Sequence, residues 1–305
     1  MLPYPTPEDA LTFDRTHTPW FMSLDGTWDF KLKPAPETVT TDDLQQGGWE
    51  AIHVPGNWTM QGFGKPHYTN VMMPFPCIPP EVPQENPTGI YRRTFALDAG
   101  WRGRRVVLHF GGSEGALYVY VNDQPVGLSK DARTPAEFDI TPFVRYDGVN
   151  TVVAVVVKWS DASYIEDQDH WWQAGLHRTV FLYATGVPHL HDVFATPSVA
   201  EDLGQAILTV KCKIALPGEP ADGSTLTLRL FDPDGKPVFD APVEAVKRAW
   251  HPHGGSPALG RNEVEIERVI RAPRLWSAET PALYSLVVTL KTANGEESVS
   301  TCIGG

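Results

Sequence analysis

Two successive all-β domains are what this sequence predicts: a jelly-roll sandwich with an N-terminal arm over residues 1–186, and an immunoglobulin- or fibronectin-like sandwich over 187–305. Three observations carry the prediction. The 305 residues exceed one average domain and fit two. Short apolar runs of strand length, many of them alternating, are separated by polar turns. No apolar pattern of helical period extends beyond three turns.

The first run, Gly26 to Leu32, sets Trp28, Phe30 and Leu32 on one face. Tyr91 to Leu97 alternates likewise through Tyr91, Arg93, Phe95 and Leu97, with Arg93 interrupting an otherwise apolar side. Arg105 to Phe110 and Ala116 to Val121 follow, joined across Gly111 to Gly115, and Asn122-Asp123 turns the chain into Gln124 to Ser129. Thr151 to Lys158 opens on the most apolar run; it is β-branched and of strand length, so it reads as a buried strand. Thr179 to Tyr183 completes a set that suits a sandwich or jelly roll. Between Asn57 and Gly89 the prolines Pro66, Pro74, Pro76, Pro79, Pro80, Pro83 and Pro87 predict a long irregular segment. Trp58, Phe63, Tyr68, Met72, Met73 and Phe75 make it too apolar for disorder, so it is expected to pack over one end of the sandwich.

A second unit starts near Gly186-Val-Pro188, with strands at Leu208 to Ile214, Thr225 to Phe231, Val264 to Ile270 and Tyr284 to Leu290. Asp232-Pro-Asp-Gly235 is a turn, and Val299 to Ile303 begins a last strand. The stretch Glu244 to Arg261, with Trp250, His251 and His253, interrupts this sandwich; its histidines lack further ligands at zinc spacing.

Charge and composition narrow the function. A net charge of −12 argues against nucleic acid and anionic membrane as partners, which need clustered positive charge. No apolar run approaches the roughly 20 residues that span a bilayer. The N-terminus lacks the basic and apolar stretches of a signal peptide. Cys77, Cys212 and Cys302 are odd in number and far apart, which suits a reducing compartment and gives no disulfide framework; a cytoplasmic chain is expected. Ten tryptophans belong first to cores, where an indole buries a large area; stacking on a sugar ring is the functional alternative for one or two of them.

Two clusters carry chemistry. Tyr68-Thr-Asn-Val71 lies in the proline-rich segment, ahead of Glu85-Asn-Pro-Thr-Gly89. Trp159-Ser-Asp-Ala-Ser-Tyr-Ile-Glu-Asp-Gln-Asp-His-Trp-Trp-Gln-Ala-Gly175 follows the buried strand, so Asp161, Glu166, Asp167 and Asp169 stand at its exit, where a sandwich carries its ligand loops. Carboxylates flanked by Trp and Tyr can hold a cation, accept hydrogen bonds from sugar hydroxyls, or form a glycosidase acid–base pair. A solvated turn whose acids cap backbone amides is the plain alternative, and two adjacent tryptophans set the run apart from it.

These two clusters, with Glu85 to Gly89, Leu24-Asp-Gly-Thr-Trp28 and Pro273-Arg-Leu-Trp-Ser-Ala-Glu-Thr-Pro-Ala-Leu-Tyr284, resemble in order the N-terminal region of the β-galactosidases of glycoside hydrolase family 2. The resemblance runs from about Leu24 to Gly305. It implies a jelly-roll sugar-binding domain, an immunoglobulin-like domain and then a (β/α)₈ barrel of roughly 250 residues that carries the two glutamates of a retaining mechanism. On this reading the barrel and its catalytic pair are absent from the 305 residues, which help bind a β-galactoside without cleaving it.

The resemblance also assigns residues. Asn70 and Asp169 project into the galactose pocket, Val71 lines it, and Asp169 ligates a sodium ion beside the sugar's primary hydroxyl; magnesium belongs to the barrel. A second cation site that the family builds partly on the position of Asp161 is doubtful here, because Lys130 stands at a matching ligand position and an ammonium repels a cation; Asp161 is expected to pair with Lys130. His170 reads as a hydrogen-bonded structural histidine, and Trp171 and Trp172 divide between the domain core and the barrel interface. The partners implied are the β-galactoside, the chain's own barrel and further copies in a homo-oligomer. Competing readings are a stand-alone lectin-like protein, and the same region of a β-glucuronidase or β-mannosidase; the Tyr-Thr-Asn-Val and Glu-Asp-Gln-Asp pair favours the galactosidase.

Overall fold

The computed structural model describes residues 1–70, 73–76, 78–166, 168–215, 224–245, 251–252 and 261–305. Among them regular structure is almost all β, and no helix exceeds the five residues of Thr41–Gln45. The chain divides into two compact units, one over Met22–Tyr183 and one over Met1–Phe21 with Ala184–Gly305.

The first unit is built on two antiparallel sheets. The larger orders its strands as Glu50–Val54, Gly26–Lys33, Thr88–Ala96, Val149–Val157, Ala116–Val121 and Gln124–Ser129. The smaller sets Arg105–Phe110 between Val180–Thr185 and Ala136–Asp139. Alternation places Trp28, Phe30, Tyr91, Val152, Ala154 and Val156 in the core, each at most 1% exposed. Arg93, on the same side as Tyr91, escapes burial by donating from Nη1 to the Thr27 carbonyl at 3.2 Å. The opposite face of Val149–Val157 is apolar too. Val153 and Val155 pack with Ile90 under Leu44 and Trp49, so this strand is buried on both sides and needs no alternation. Asn122 and Asp123 both take positive φ, 50° and 66°, as a two-residue hairpin turn demands.

The proline-rich segment is less irregular than its sequence suggests. Trp58–Gln61 forms a 3₁₀ turn whose Trp58 is 1% exposed, and His67–Thr69 is a strand. Gly89 shows why the indole fits: a Cβ there would lie 2.4 Å from the Trp58 ring and 2.8 Å from Phe30.

The second unit sets Gln205–Ala215 between His189–Val199 and Arg261–Arg271, and Tyr284–Thr292 between Thr225–Phe231 and Gly295–Ile303. Leu208, Val210, Ile214, Leu228, Leu286 and Val288 lie among its core residues. The arm, expected with the first domain, belongs here. Tyr4 exchanges two backbone hydrogen bonds with Ser298, at 2.8 and 2.9 Å, and Tyr4 and Ala10 bury themselves against Val287. Apolar residues at Tyr4 and Ala10 need a core; the strand Gly295–Ile303 offers a backbone edge at Ser298, and Val287 of the neighbouring strand an apolar seat. Cys212 is buried, which pushes its thiol up to about 12, and Cys302 is exposed. The stretch Glu244 to Arg261 lies largely outside the described residues; within it His251–Pro252 pairs with Asn262 and Glu263.

Candidate functional site

The strand Val149–Val157 delivers the chain to the site. Beyond it Trp159 is 3% exposed and held at both backbone atoms by buried Asn86: Trp159 N–H donates to Asn86 Oδ1 at 2.9 Å, and Asn86 Nδ2 donates to the Trp159 carbonyl at 2.8 Å. The Glu85 to Gly89 motif is therefore a clamp on the site loop. Ser160 caps the 3₁₀ turn Asp161–Tyr164 in a reciprocal pair with Ser163. Glu166 accepts from the Ala132 amide at 2.7 Å, and burial raises its pKa.

The chain then enters the strand His170–Trp172, which pairs antiparallel with His67–Thr69 in a two-stranded ribbon: His170 opposite Thr69, Trp171 opposite Tyr68, Trp172 opposite His67. The period of two divides the tryptophans. Trp172 is 1% exposed and packs on Trp159 with ring centroids 5.2 Å apart, whereas Trp171 is 57% exposed beside Tyr68, itself 52% exposed, at 5.6 Å.

Three polar groups converge on this exposed face. The Tyr68 hydroxyl donates to Asp169 Oδ1 at 2.6 Å, and Asn70 Nδ2 donates to the Tyr68 oxygen at 3.4 Å. The phenol thus links the two residues expected at the sugar. Its bond to the Asp169 carboxylate raises the Tyr68 pKa. An ionised carboxylate that only accepts, an amide that both donates and accepts, and two exposed aromatic rings suit a ligand with hydroxyl donors and an apolar face.

The other expected residues fall as follows. Asp161 is paired with Lys130, whose Nζ donates to both carboxylate oxygens at 2.7 and 2.9 Å; that bond lowers the Asp161 pKa and raises that of Lys130. An ammonium already neutralises the Asp161 carboxylate, so these residues do not fit a cation site. Asp169, Tyr68 and Asn70 offer oxygens of the type a hard cation takes, but too few to enclose it. Among the described residues no group of three or more His, Cys, Asp and Glu could hold a metal. His170 Nε2 lies 2.8 Å from Arg133 Nη2; a guanidinium only donates, so this nitrogen is unprotonated. Val71 and Asp167 lie outside the described residues.

Residues 21–186 match the family model described as "Glycosyl hydrolases family 2, sugar binding domain", and residues 188–304 match "Glycosyl hydrolases family 2". A β-galactosidase of Priestia megaterium is 35% identical over 97% of this chain, and one of Vibrio cholerae is 37% identical over 90%. The chain spans 28% and 26% of those proteins' lengths. Solved β-glucuronidases of Bacteroides uniformis (TM-score 0.70, 21% identity, 93% of this chain and 32% of that one) and Bifidobacterium dentium (TM-score 0.67, 21% identity, 93% and 48%) share the fold.

Proposed function

The chain belongs to the glycosyl hydrolases of family 2, and on that premise we propose that it is the N-terminal, non-catalytic part of a retaining β-galactosidase, forming one wall of the pocket for a terminal galactose. The observation that carries this reading is the Tyr68 hydroxyl joining Asn70 to Asp169 on an exposed ribbon. The β-galactosidases at 35–37% identity support the choice of sugar. Chemistry supports it as well. An acceptor-only Asp169 suits a hydroxyl donor and would repel the carboxylate of a glucuronide.

In this role Asp169 accepts from sugar hydroxyls, while the Tyr68 proton fixes its Oδ1 and leaves Oδ2 for the ligand. Asn70 can give or take one hydrogen bond, and Trp171 offers an apolar ring face or a seat for the barrel. Sodium, if bound, would have Asp169 as one ligand among oxygens supplied from elsewhere. Cleavage needs two carboxylates about 5–5.5 Å apart across the scissile bond. We assign that pair, its magnesium and the oligomer to the remainder of a longer protein.

Rigorously purified chain should not turn over a chromogenic β-galactoside. Turnover abolished by replacing an acid within these 305 residues would overturn the reading.

A further inference from the structure

Lys158 is 2% exposed, a burial that lysine side chains very seldom accept. Among the described residues its hydrogen-bond partners include no carboxylate. Nζ donates to the Lys65 carbonyl at 2.8 Å and to His67 Nδ1 at 3.0 Å, and it lies 5.2 Å from the Trp159 ring centroid. Both partners belong to one segment, the last residues before and the first residue of the strand His67–Thr69. That strand is only three residues long and sits in a two-stranded sheet, which is marginal by itself. Lys158 directly follows the strand Val149–Val157, whose last six residues are all buried, and its own N–H is bonded to the Pro87 carbonyl at 3.0 Å.

We propose that Lys158 is a positioning residue: its buried ammonium pegs the ribbon to the sandwich core and so fixes Tyr68, Asn70 and Asp169 in the arrangement that meets the ligand. The functional weight of the peg rests on the galactose-wall reading above. Its existence does not.

The geometry dictates a protonation state. Lysine's ammonium has donors only, so His67 Nδ1 accepts and its proton sits on Nε2. Partial desolvation of the imidazole and the nearby Lys158 charge both lower the His67 pKa, which keeps the ring neutral and able to accept. Burial likewise lowers Lys158 to about 8, with the Glu114 charge opposing. A charge held against that pull, when an apolar side chain would pack there without it, points to a role other than stability.

Hydrogen exchange of the full 305-residue chain tests the peg. Lys158→Met should speed exchange at 67–70 and 170–172 by about tenfold or more, with no acceleration in Val149–Val157 or the second unit. His67→Leu should do the same, and His67→Gln, which keeps an acceptor oxygen, should stay near the wild type. Imidazole ¹⁵N spectra should show His67 Nδ1 unprotonated in the wild type, and a mixture of tautomers in Lys158→Met. Unchanged ribbon exchange in His67→Leu would overturn the proposal, and so would loss of protection spread evenly over the first unit in Lys158→Met. If Lys158→Met does not fold, the two His67 variants decide alone, because His67 is exposed. No sugar enters these readouts, so the peg can fail while the galactose wall stands, and the reverse.

Discussion

A buried ammonium that positions a ribbon should tax the fold, and the tax should vanish with pH. Lys158 titrates at about 8 in the folded chain against 10.5 ordinarily. Between those values the unfolded chain binds more protons, so stability rises with pH; below about 8 both states are charged and the penalty is complete. A depression of about 2.5 units at about 1.36 kcal/mol each corresponds to roughly 3 kcal/mol. Lys158→Met removes that penalty but leaves the Lys65 carbonyl and His67 Nδ1 without their donor, which takes back about 1–3 kcal/mol. The variant should therefore equal or exceed the wild type at pH 7 by up to about 2 kcal/mol, while its ribbon is looser. Urea unfolding at pH 7, 8, 9 and 10 reads this through Trp28, Trp58, Trp101, Trp159 and Trp172, all buried in the first unit. Relative to the variant, the wild type should gain about 2 kcal/mol from pH 7 to pH 10, since other groups titrate alike in both. Parallel pH profiles would refute the reasoning.

If the proposed reading holds, Asp169→Asn in a chain that includes the catalytic barrel should lower kcat/KM about tenfold to a hundredfold, the worth of a charge-strengthened hydrogen bond, with an unchanged melting temperature. Steady-state kinetics at fixed sodium checks it. Asn86→Ala strips both bonds from the Trp159 backbone inside the protein and should destabilise by about 2–4 kcal/mol, measured by denaturant unfolding. Gly89→Ala forces a Cβ against Trp58 and Phe30 and should cost about 1–3 kcal/mol or more by the same assay. Acid should release the peg. His67 accepts only when neutral, and its pKa lies below the ordinary 6.5, pushed there by partial desolvation and Lys158 against the opposing Glu85. The stabilising contact is present above 6.5 and lost as pH falls through the depressed value, so ribbon exchange, corrected for intrinsic rates, should rise on acidification in the wild type and not in His67→Gln.

Much of the fold was legible because the core strands of the first unit announce themselves. Gly26–Lys33 alternates, Val149–Val157 is β-branched at all positions but Asn150 and Ala154, and Asn122-Asp123 is turn chemistry that few other residues perform. The split of Trp171 from Trp172 follows from adjacency on a strand, and the pairing of Asp161 with Lys130 from charge. Other features depend on partners distant in sequence. His67–Thr69 is three residues in a proline-rich run, and it becomes a strand through pairing with residues about a hundred positions later. The Tyr68 link from Asn70 to Asp169 needs that register. His189–Val199 is not marked as a strand by its sequence, because it is an edge strand whose Pro197 and 64% exposed Phe194 blur the alternation. Lys158 reads as a charge leaving a strand, and nothing local shows that Lys65 and His67 close over it.

The most direct test of the sugar wall is a titration of the ¹⁵N-labelled 305-residue chain with methyl β-galactoside, followed residue by residue. The account predicts weak, saturable shifts, with a Kd above about 1 mM, centred on Tyr68, Asn70, Asp169 and Trp171, absent with methyl β-glucuronide and lost in Asn70→Ala with Asp169→Asn. Shifts centred elsewhere in the chain, or equal shifts from the glucuronide, would contradict it.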